Sequence, residues 1–572
     1  MRRIGVFICH CGTNIAGEID VERLVEVIRC YPGVAHATSY PYMCSEPGQK
    51  LIRQAIAEHG LEGVIVAACS PAMHETTFRR VVAAAGLNPH QFESANIREQ
   101  CSWVHRHDVE RATLKAEDII KAMVEKMGRN QPLAPITMSL TRRALVIGGG
   151  IAGLQAALDI AAAGYPVILV EREATLGGRM AQLSGTYLNF EAVPALLASK
   201  IEEVTHHPHI QVLTQAQVEE VNGYVGNFTV AVESTQVDKD TSFTFEVGAI
   251  VVATGYDLYP QADLPEYGAG RYADVIDELE FEAMLSPTGP TGGRICRPSD
   301  GAVPREVVFV QCAGSRDPER GVPYCSKVCC MVTAKQAMMY RQQVPEGQAY
   351  VFYTDIRSMG KGYDEFVQRA MEEYGVLYLR GKVSRVFPQD GKVMVWGADT
   401  LSGMTVEVPA DLVVLATALV PRAGAGELAK KLRIATDEHG FYNEAHPKLR
   451  PVESSTAGIF LAGAGQAPKD IPETVAQASG AAAKVLSLFA QQKLIHDPVV
   501  AAVDPELCSG CGICVETCPY EAREVHPVWN IAVVKEILCQ GCGVCVVACP
   551  NKASQLRNYT PAQLMAMIDA VV

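Results

Sequence analysis

The chain has 572 residues, 48% apolar and 7% aromatic, with a formal net charge of -14. That length predicts about three to five domains with buried cores, and the acidic balance argues against nucleic acid and anionic membrane surfaces as partners. Nineteen cysteines, with no signal-peptide core after Arg3, predict a cytoplasmic protein in a reducing compartment, whose clustered thiols bind metal rather than pair as disulfides.

Residues 1–138 read as an α/β domain of Rossmann-like pattern. Strands are expected at 3–9, near 36–43, at 63–68 and near 92–97, with helical patterns such as 48–58 and 109–125. Cys9, Cys11, Cys44, Cys69 and Cys101 each follow a strand, whereas Cys30 does not. In a parallel sheet the carboxyl ends of the strands share one edge, and sites form there. The expectation is a [4Fe–4S] site held by Cys11, Cys44, Cys69 and Cys101, with Cys9 the rival of Cys11. His10, His74, His105 and His107 are nearby and read as hydrogen-bonded residues rather than ligands. A zinc site is the alternative, although these cysteines stand about 25 to 35 residues apart, unlike a compact knuckle.

Residues 139–290 read as the first part of a dinucleotide-binding domain. "ALVIGGGIAGLQAALDIAAAGYPVILVER" is a strand, a glycine turn, a helix and a second strand. Gly148, Gly150 and Gly153 make G-x-G-x-x-G: the first for the turn, the second for pyrophosphate approach, the third for helix packing. The helix N-terminus offers amides and a positive dipole end to phosphates. Glu171 at the end of the second strand is expected to accept ribose hydroxyls. Gly177, Gly178 and Arg179 follow, then Thr254 and Gly255 in "AIVVATGYD".

Residues 291–425 read as a second domain of the same kind with its fingerprint lost. The strand 307–311 should run into glycines and runs instead into "CAGSRD", keeping only Gly314. Cys312 is followed by Cys325, Cys329 and Cys330 in "YCSKVCC". Four thiolates at the start of a helix, where NADPH would bind, are a fair iron–sulfur ligand set. The alternative is a pair of buried structural cysteines plus an adventitious disulfide.

Residues 426–495 complete the first dinucleotide domain with "TAGIFLAGAGQAPKDIPETVAQASGAAAKV". Together with the earlier segments this resembles the FAD-binding halves of the thioredoxin-reductase and pyridine-nucleotide-disulfide oxidoreductase group. In that group the segment ends "GD", whereas here Gly463 precedes Ala464. Lys469 is expected either to approach the flavin and tune it or to be a solvated cap, with Asp470 beside it.

Residues 496–572 carry the pattern C-x2-C-x2-C-x3-C-P twice. In two-cluster ferredoxins the fourth cysteine of each run ligates the other cluster. The expected sets are Cys508, Cys511, Cys514 with Cys549, and Cys539, Cys542, Cys545 with Cys518. Paired zinc knuckles are the alternative, and the spacing and trailing prolines disfavour them. Cys30 and Cys296 are left as ordinary thiols.

"ICHCGTNIAG", "YMCSEPGQ", "AACSPAMHETTF", "NIREQCSWVH", "FVQCAGSRD" and "YCSKVCC" together resemble the heterodisulfide reductase A-subunit family over nearly the whole chain. The resemblance implies an α/β flavoprotein with a thioredoxin-reductase-like core and a C-terminal ferredoxin, carrying FAD and, by the cysteine tally, four [4Fe–4S] clusters. It implies an oxidoreductase component for flavin-based electron bifurcation or distribution. Its partners would be companion iron–sulfur subunits of the heterodisulfide reductase B and C kind and hydrogenase- or NADH-linked donors, around a homodimer, with no membrane span and no nucleic acid. The family's long form inserts an extra ferredoxin in the flavin domain. Residues 200–245 hold no cysteine, so a short form is expected. The alternative is a non-bifurcating wiring component of a benzoyl-CoA, methylene-tetrahydrofolate or sulfur-metabolising complex. A stand-alone NAD(P)H:disulfide oxidoreductase is disfavoured by the missing second fingerprint.

Overall fold

The computed structural model describes residues 2–234 and 242–572. Residues 235–241, part of the cysteine-free stretch 200–245, lie outside the described residues. The chain forms two compact units, one of residues up to Met138 together with Ile495–Val572, the other Ser139–Leu494. Among the described residues no helix is long and apolar enough to cross a membrane.

The first unit opens with β1 (Ile4–Cys9), α1 (Val21–Arg29), β2 (Val34–Tyr40), α2 (Glu46–His59), β3 (Gly63–Ala68), α3 (Pro71–Ala84), β4 (Phe92–Asn96) and α4 (Val109–Arg129). The strands pair in parallel in the order β2-β1-β3-β4. β1 and β3 are buried throughout, as apolar runs covered on both faces should be. α4 buries Ala112, Ala116, Ile120, Val124 and Met127, a helical stripe facing the sheet. Its start is fixed by Asp108, whose carboxylate accepts the Arg111 N–H at 3.1 Å, a cap contributing roughly 1 kcal/mol. β2 ends sooner than the expected 36–43, because Pro41 has no N–H with which to continue the ladder. Cys44 therefore rides the turn that follows.

In the second unit the chain lays down β5 (Ala144–Ile147), α5 (Ile151–Ala162), β6 (Val167–Val170), β7 (Ile210–Leu213) and β8 (Ala249–Val252). It then builds another layer from α6 (Glu278–Leu285), β9 (Glu306–Ala313), α7 (Cys329–Gln343), β10 (Gln348–Tyr353), β11 (Leu377–Arg380) and β12 (Leu412–Thr417). It returns with β13 (Ile459–Leu461) and α8 (Ile471–Phe489). β13-β8-β5-β6-β7 form the parallel part of one sheet. β12-β9-β10-β11 form another, with Val275–Asp277 on its edge. That edge strand places residue 275 in the second sheet, ahead of the boundary expected at 290. The two chain crossings, Tyr256–Leu258 and Leu419–Pro421, pair with each other antiparallel.

In the last segment of the first unit Ala501–Val503 pairs antiparallel with Ser554–Leu556, and between them Arg523–Val525 and Ala532–Val534 form a hairpin. Its buried cluster is Val500, Ala501, Ala522 and Ala532 with Cys514, Cys539 and Cys545. Each fully buried large aliphatic contributes roughly 1.5–3 kcal/mol, and this cluster has one valine among alanines. Ile136, Val503, Val515, Val534, Leu538, Val546 and Leu556 pack against it.

Candidate functional site

A cavity of about 840 Å³ opens at the carboxyl edge of the first sheet of the second unit. The turn from β5 into α5 forms one wall. Gly148 has φ 110° there, and a Cβ on it would stand 2.4 Å from the Ala253 carbonyl oxygen. A Cβ on Gly153 would stand 1.8 Å from the Gly148 oxygen, so only glycine lets the helix approach the strand. Gly150 lines the cavity and a Cβ there would meet no atom closer than 4.0 Å. Space and amides are thus left for a pyrophosphate, and the residues present fit a dinucleotide.

Glu171 also lines the cavity, but its oxygens are engaged by the turn itself: Oε2 accepts from Gly149 N at 2.6 Å and Oε1 from Glu173 N at 2.8 Å. The ribose role expected for it is left to its remaining lone pairs. Gly178, Thr254 and Gly255 line the cavity, while Gly177 sits behind, its N–H on the Gly149 oxygen at 2.8 Å. Arg179 lines the cavity and pairs with Asp257 at 2.7 Å. Gly463 stands back from the wall, its N–H donating to Gln477 Oε1 at 2.8 Å, and Ala464 takes its place.

Lys469 is a cavity residue and not a solvated cap. Burial pushes its ammonium down to about 8. Asp470 is saturated. Oδ1 caps α8 by accepting from Glu473 N at 2.8 Å, and Oδ2 accepts from the Tyr187 and Tyr363 hydroxyls at 2.7 and 2.6 Å. Asp470, Tyr187 and Tyr363 all line the cavity.

Sequence reading missed the polar group on the middle sheet's helices. Glu278 and Glu282 on α6 and Lys335 on α7 all line the cavity. Lys335 and Glu282 form a buried ion pair at 2.7 Å. Glu282 Oε2 also accepts from Ser184 Oγ at 2.7 Å, and Oε1 from Gln336 Nε2 at 2.8 Å. Glu278 is buried with Oε2 unpartnered. Burial first, then the charges of Asp277 and Glu282, holds its carboxyl well above the usual range. The available signal was acidic residues four apart on a short helix rich in Leu, Phe and Met.

The middle cysteines gather at the carboxyl end of β9. The strand runs past the expected 311 to Ala313, with a register shift against β12 between Val310 and Ala313. Cys312 sits in that irregularity at φ 60°. Cys329 lies within hydrogen-bonding reach of both Cys312 and Cys330. Its S–H, followed by the Arg316 charge, draws the Cys312 thiol down to about 6. Cys325 Sγ accepts from Lys327 N at 3.3 Å, and Cys330 Sγ from Arg357 N at 3.4 Å. Val328, Val332 and Lys335, on and just before α7, line the large cavity.

In the C-terminal segment two smaller cavities have distinct linings. Cys508, Cys511, Cys514 and Cys549 surround one; Cys539, Cys542, Cys545 and Cys518 surround the other. Backbone amides already point at sulfur, from Ala532 to Cys508 at 3.3 Å and from Ala501 to Cys539 at 3.3 Å. Among the described residues no three His, Cys, Asp or Glu side chains are grouped to hold a single metal ion. Each of the two cavities is lined by four cysteines, a donor set that fits an iron–sulfur cluster.

At the N-terminal sheet edge four of the five cysteines lie near one another. Cys9, Cys11 and Cys44 are close enough for each thiolate to raise Cys9, and Cys69 senses both Cys9 and Cys11. Arg98 Nη1 donates to Cys11 Sγ at 3.2 Å. Cys101, expected among the ligands, is turned away. It is fully buried against α4, its thiol donating to the Ala112 oxygen at 3.0 Å. The cause is the π-helical turn Arg98–Ser102, which aims residue 98, not residue 101, at the sulfurs. Cys9 lies beside Cys11 and Cys44. Among the histidines, His105 reaches Lys115 at 3.2 Å, and His10 Nε2 is buried without a partner.

Two family models match: pyridine nucleotide-disulphide oxidoreductase over residues 142–285 and 4Fe-4S binding domain over 501–524. Three curated relatives align over most of the chain. An A-type iron-sulfur subunit of CoB--CoM heterodisulfide reductase from Methanopyrus kandleri, the second of its kind there, is 43% identical, covering 91% of each chain. The first of its kind in the same organism is 41% identical over 652 aligned positions, covering all of this chain and 98% of its own. Since those positions exceed the 572 residues present here, that relative has segments this chain lacks. The A-type subunit of an H(2):CoB-CoM heterodisulfide,ferredoxin reductase from Methanothermobacter thermautotrophicus is 40% identical, covering 93% of this chain and 92% of its own.

Proposed function

The chain belongs to the heterodisulfide reductase A-subunit family, and from that premise we propose that it splits electron pairs for a larger complex. It would accept pairs from a two-electron partner and pass single electrons toward ferredoxin-type carriers and toward a second acceptor of the heterodisulfide kind. It is an oxidoreductase and an iron–sulfur flavoprotein. When bound, FAD would exchange an electron pair for single electrons, which [4Fe–4S] clusters carry one at a time.

The observation that carries this reading is α7. One helix turn bears Cys329 and Cys330, and the residues around them, Val328, Val332 and Lys335, line the large cavity. Gly148, Gly150, Gly178 and the α5 N-terminus would bind the pyrophosphate, with Glu171 behind them. The Tyr187–Asp470–Tyr363 clasp restricts water entry on its side. Glu278 holds a proton at the cavity wall, and Lys335 keeps Glu282 charged beside it. The four cluster sets proposed are Cys312 with Cys325, Cys329 and Cys330; the two crossed C-terminal sets; and Cys9, Cys11, Cys44 and Cys69.

The relatives' names describe subunits. The proposed partners are companion iron–sulfur subunits of the B and C kind and a hydrogenase- or NADH-linked donor, arranged around a homodimer. Redox titration of the purified full chain, followed by EPR, tests the reading. Four cluster signals are expected, and Cys329→Ser should remove one while flavin absorbance remains. Fewer than three signals, or flavin reduction by NADPH in the isolated chain, would contradict it.

A further inference from the structure

Between the cavity and the middle cysteines lies a row of charges that the proposed electron path does not use. Lys327 stands between Cys325 and Cys329 with φ 66°, a left-handed conformation a lysine seldom adopts. Its own N–H holds the Cys325 sulfur, and its ammonium is ion-paired to Glu473 Oε1. Glu473 lies in the first turn of α8, tied by its N–H to Asp470. Its second oxygen, Oε2, is buried without a hydrogen-bond partner. One turn earlier Lys469 lines the cavity. Lys469 itself donates to Gln466 Oε1 and to the Ala467 carbonyl oxygen, while Glu473 sits between the cavity residues Pro472 and Thr474 and pairs with Lys327, so one carboxylate ties the cysteine loop to the helix start that lines the cavity.

We infer that Glu473 is a positioning residue that couples the two redox sites: it holds Lys327, and with it the cysteine loop, and sets the charge felt on both sides. The inference rests on the proposal that FAD occupies the cavity and a cluster the middle cysteines. In a partly desolvated gap a unit charge within a few ångströms acts strongly. Removing the negative charge favours added electrons at both sites, and removing the positive charge disfavours them. A carboxylate that only tethers a loop would change the cluster and leave the flavin alone.

The test is a redox titration of the full-length holoprotein, read by flavin absorbance and cluster EPR, for Glu473→Gln, Lys327→Gln and the double variant. Glu473→Gln should move both midpoints positive, Lys327→Gln should move both negative, and the double variant should return near the parent. Glu473→Asp, which keeps the charge and shortens the reach, should leave the flavin midpoint in place. The inference is overturned if the flavin midpoint stays fixed in Glu473→Gln, or if both single variants shift the same way. If the parent protein lacks the flavin band or the middle-cluster signal, the functional reading itself has failed, and the coupling with it.

Discussion

The two ends of the first unit hold cysteine sites of the same composition assembled in different ways. At the C-terminal end three ligands of each set lie within seven residues, so spacing alone fixes which sulfurs share a volume. At the N-terminal end the sulfurs come from three strand ends, Cys9 and Cys11 from β1, Cys44 after β2 and Cys69 after β3, and a π-turn puts Arg98 on Cys11 while Cys101 bonds to the Ala112 oxygen. Short-range geometry is written in sequence intervals. Long-range geometry depends on where each strand stops and which way the next turn rotates.

Substitution of the fourth ligands would break this comparison most visibly. Cys549→Ser should abolish the signal of the cluster caged by Cys508, Cys511 and Cys514, leaving its neighbour's. At the other end Cys9→Ser should abolish the N-terminal signal, whereas Cys101→Ser should keep it and its iron. Loss of that signal in Cys101→Ser with retention in Cys9→Ser would restore the expectation drawn from sequence.

A smaller effect is expected at the polar group of the large cavity, which is likewise assembled from distant residues. Lys335→Met leaves Glu282 buried and uncompensated, which should cost about 3–5 kcal/mol in denaturant unfolding. Glu282→Gln together with Lys335→Met should cost much less, since both charges go. Equal losses in the single and double variants would argue against the pair.

The smallest effect is pH-dependent. The Glu278 carboxyl is raised in the folded chain, so the folded state keeps a proton that the unfolded state releases. Stability from this group is intact below the ordinary glutamate range and declines as pH rises toward the folded value. Glu278→Gln should therefore raise the melting temperature more at pH 8 than at pH 5, and an equal gain at both would contradict the assignment.

Much of the fold was legible because its parallel strands are uninterrupted apolar runs, "ALVI", "VILV" and "LVVLAT", and its dinucleotide turn needs glycines that nothing else can replace. Cys312 was legible as a site, although not the irregularity that twists it out of the strand. Glu278 and Lys335 were not legible. They lie on different helices of the middle layer, and only the folded chain shows that both face the cavity. Asp470 was legible as a cavity residue, but not the two tyrosines from remote segments, Tyr187 and Tyr363, that donate to its carboxylate.

Iron anomalous scattering from the full-length holoprotein offers the most direct check that sulfur-bound metal has taken over the nucleotide edge of the middle sheet. A compact iron peak amid Cys312, Cys325, Cys329 and Cys330, bordering flavin density in the large cavity, is the outcome expected. Absence of iron there, or a nicotinamide lying across that edge, would contradict the account.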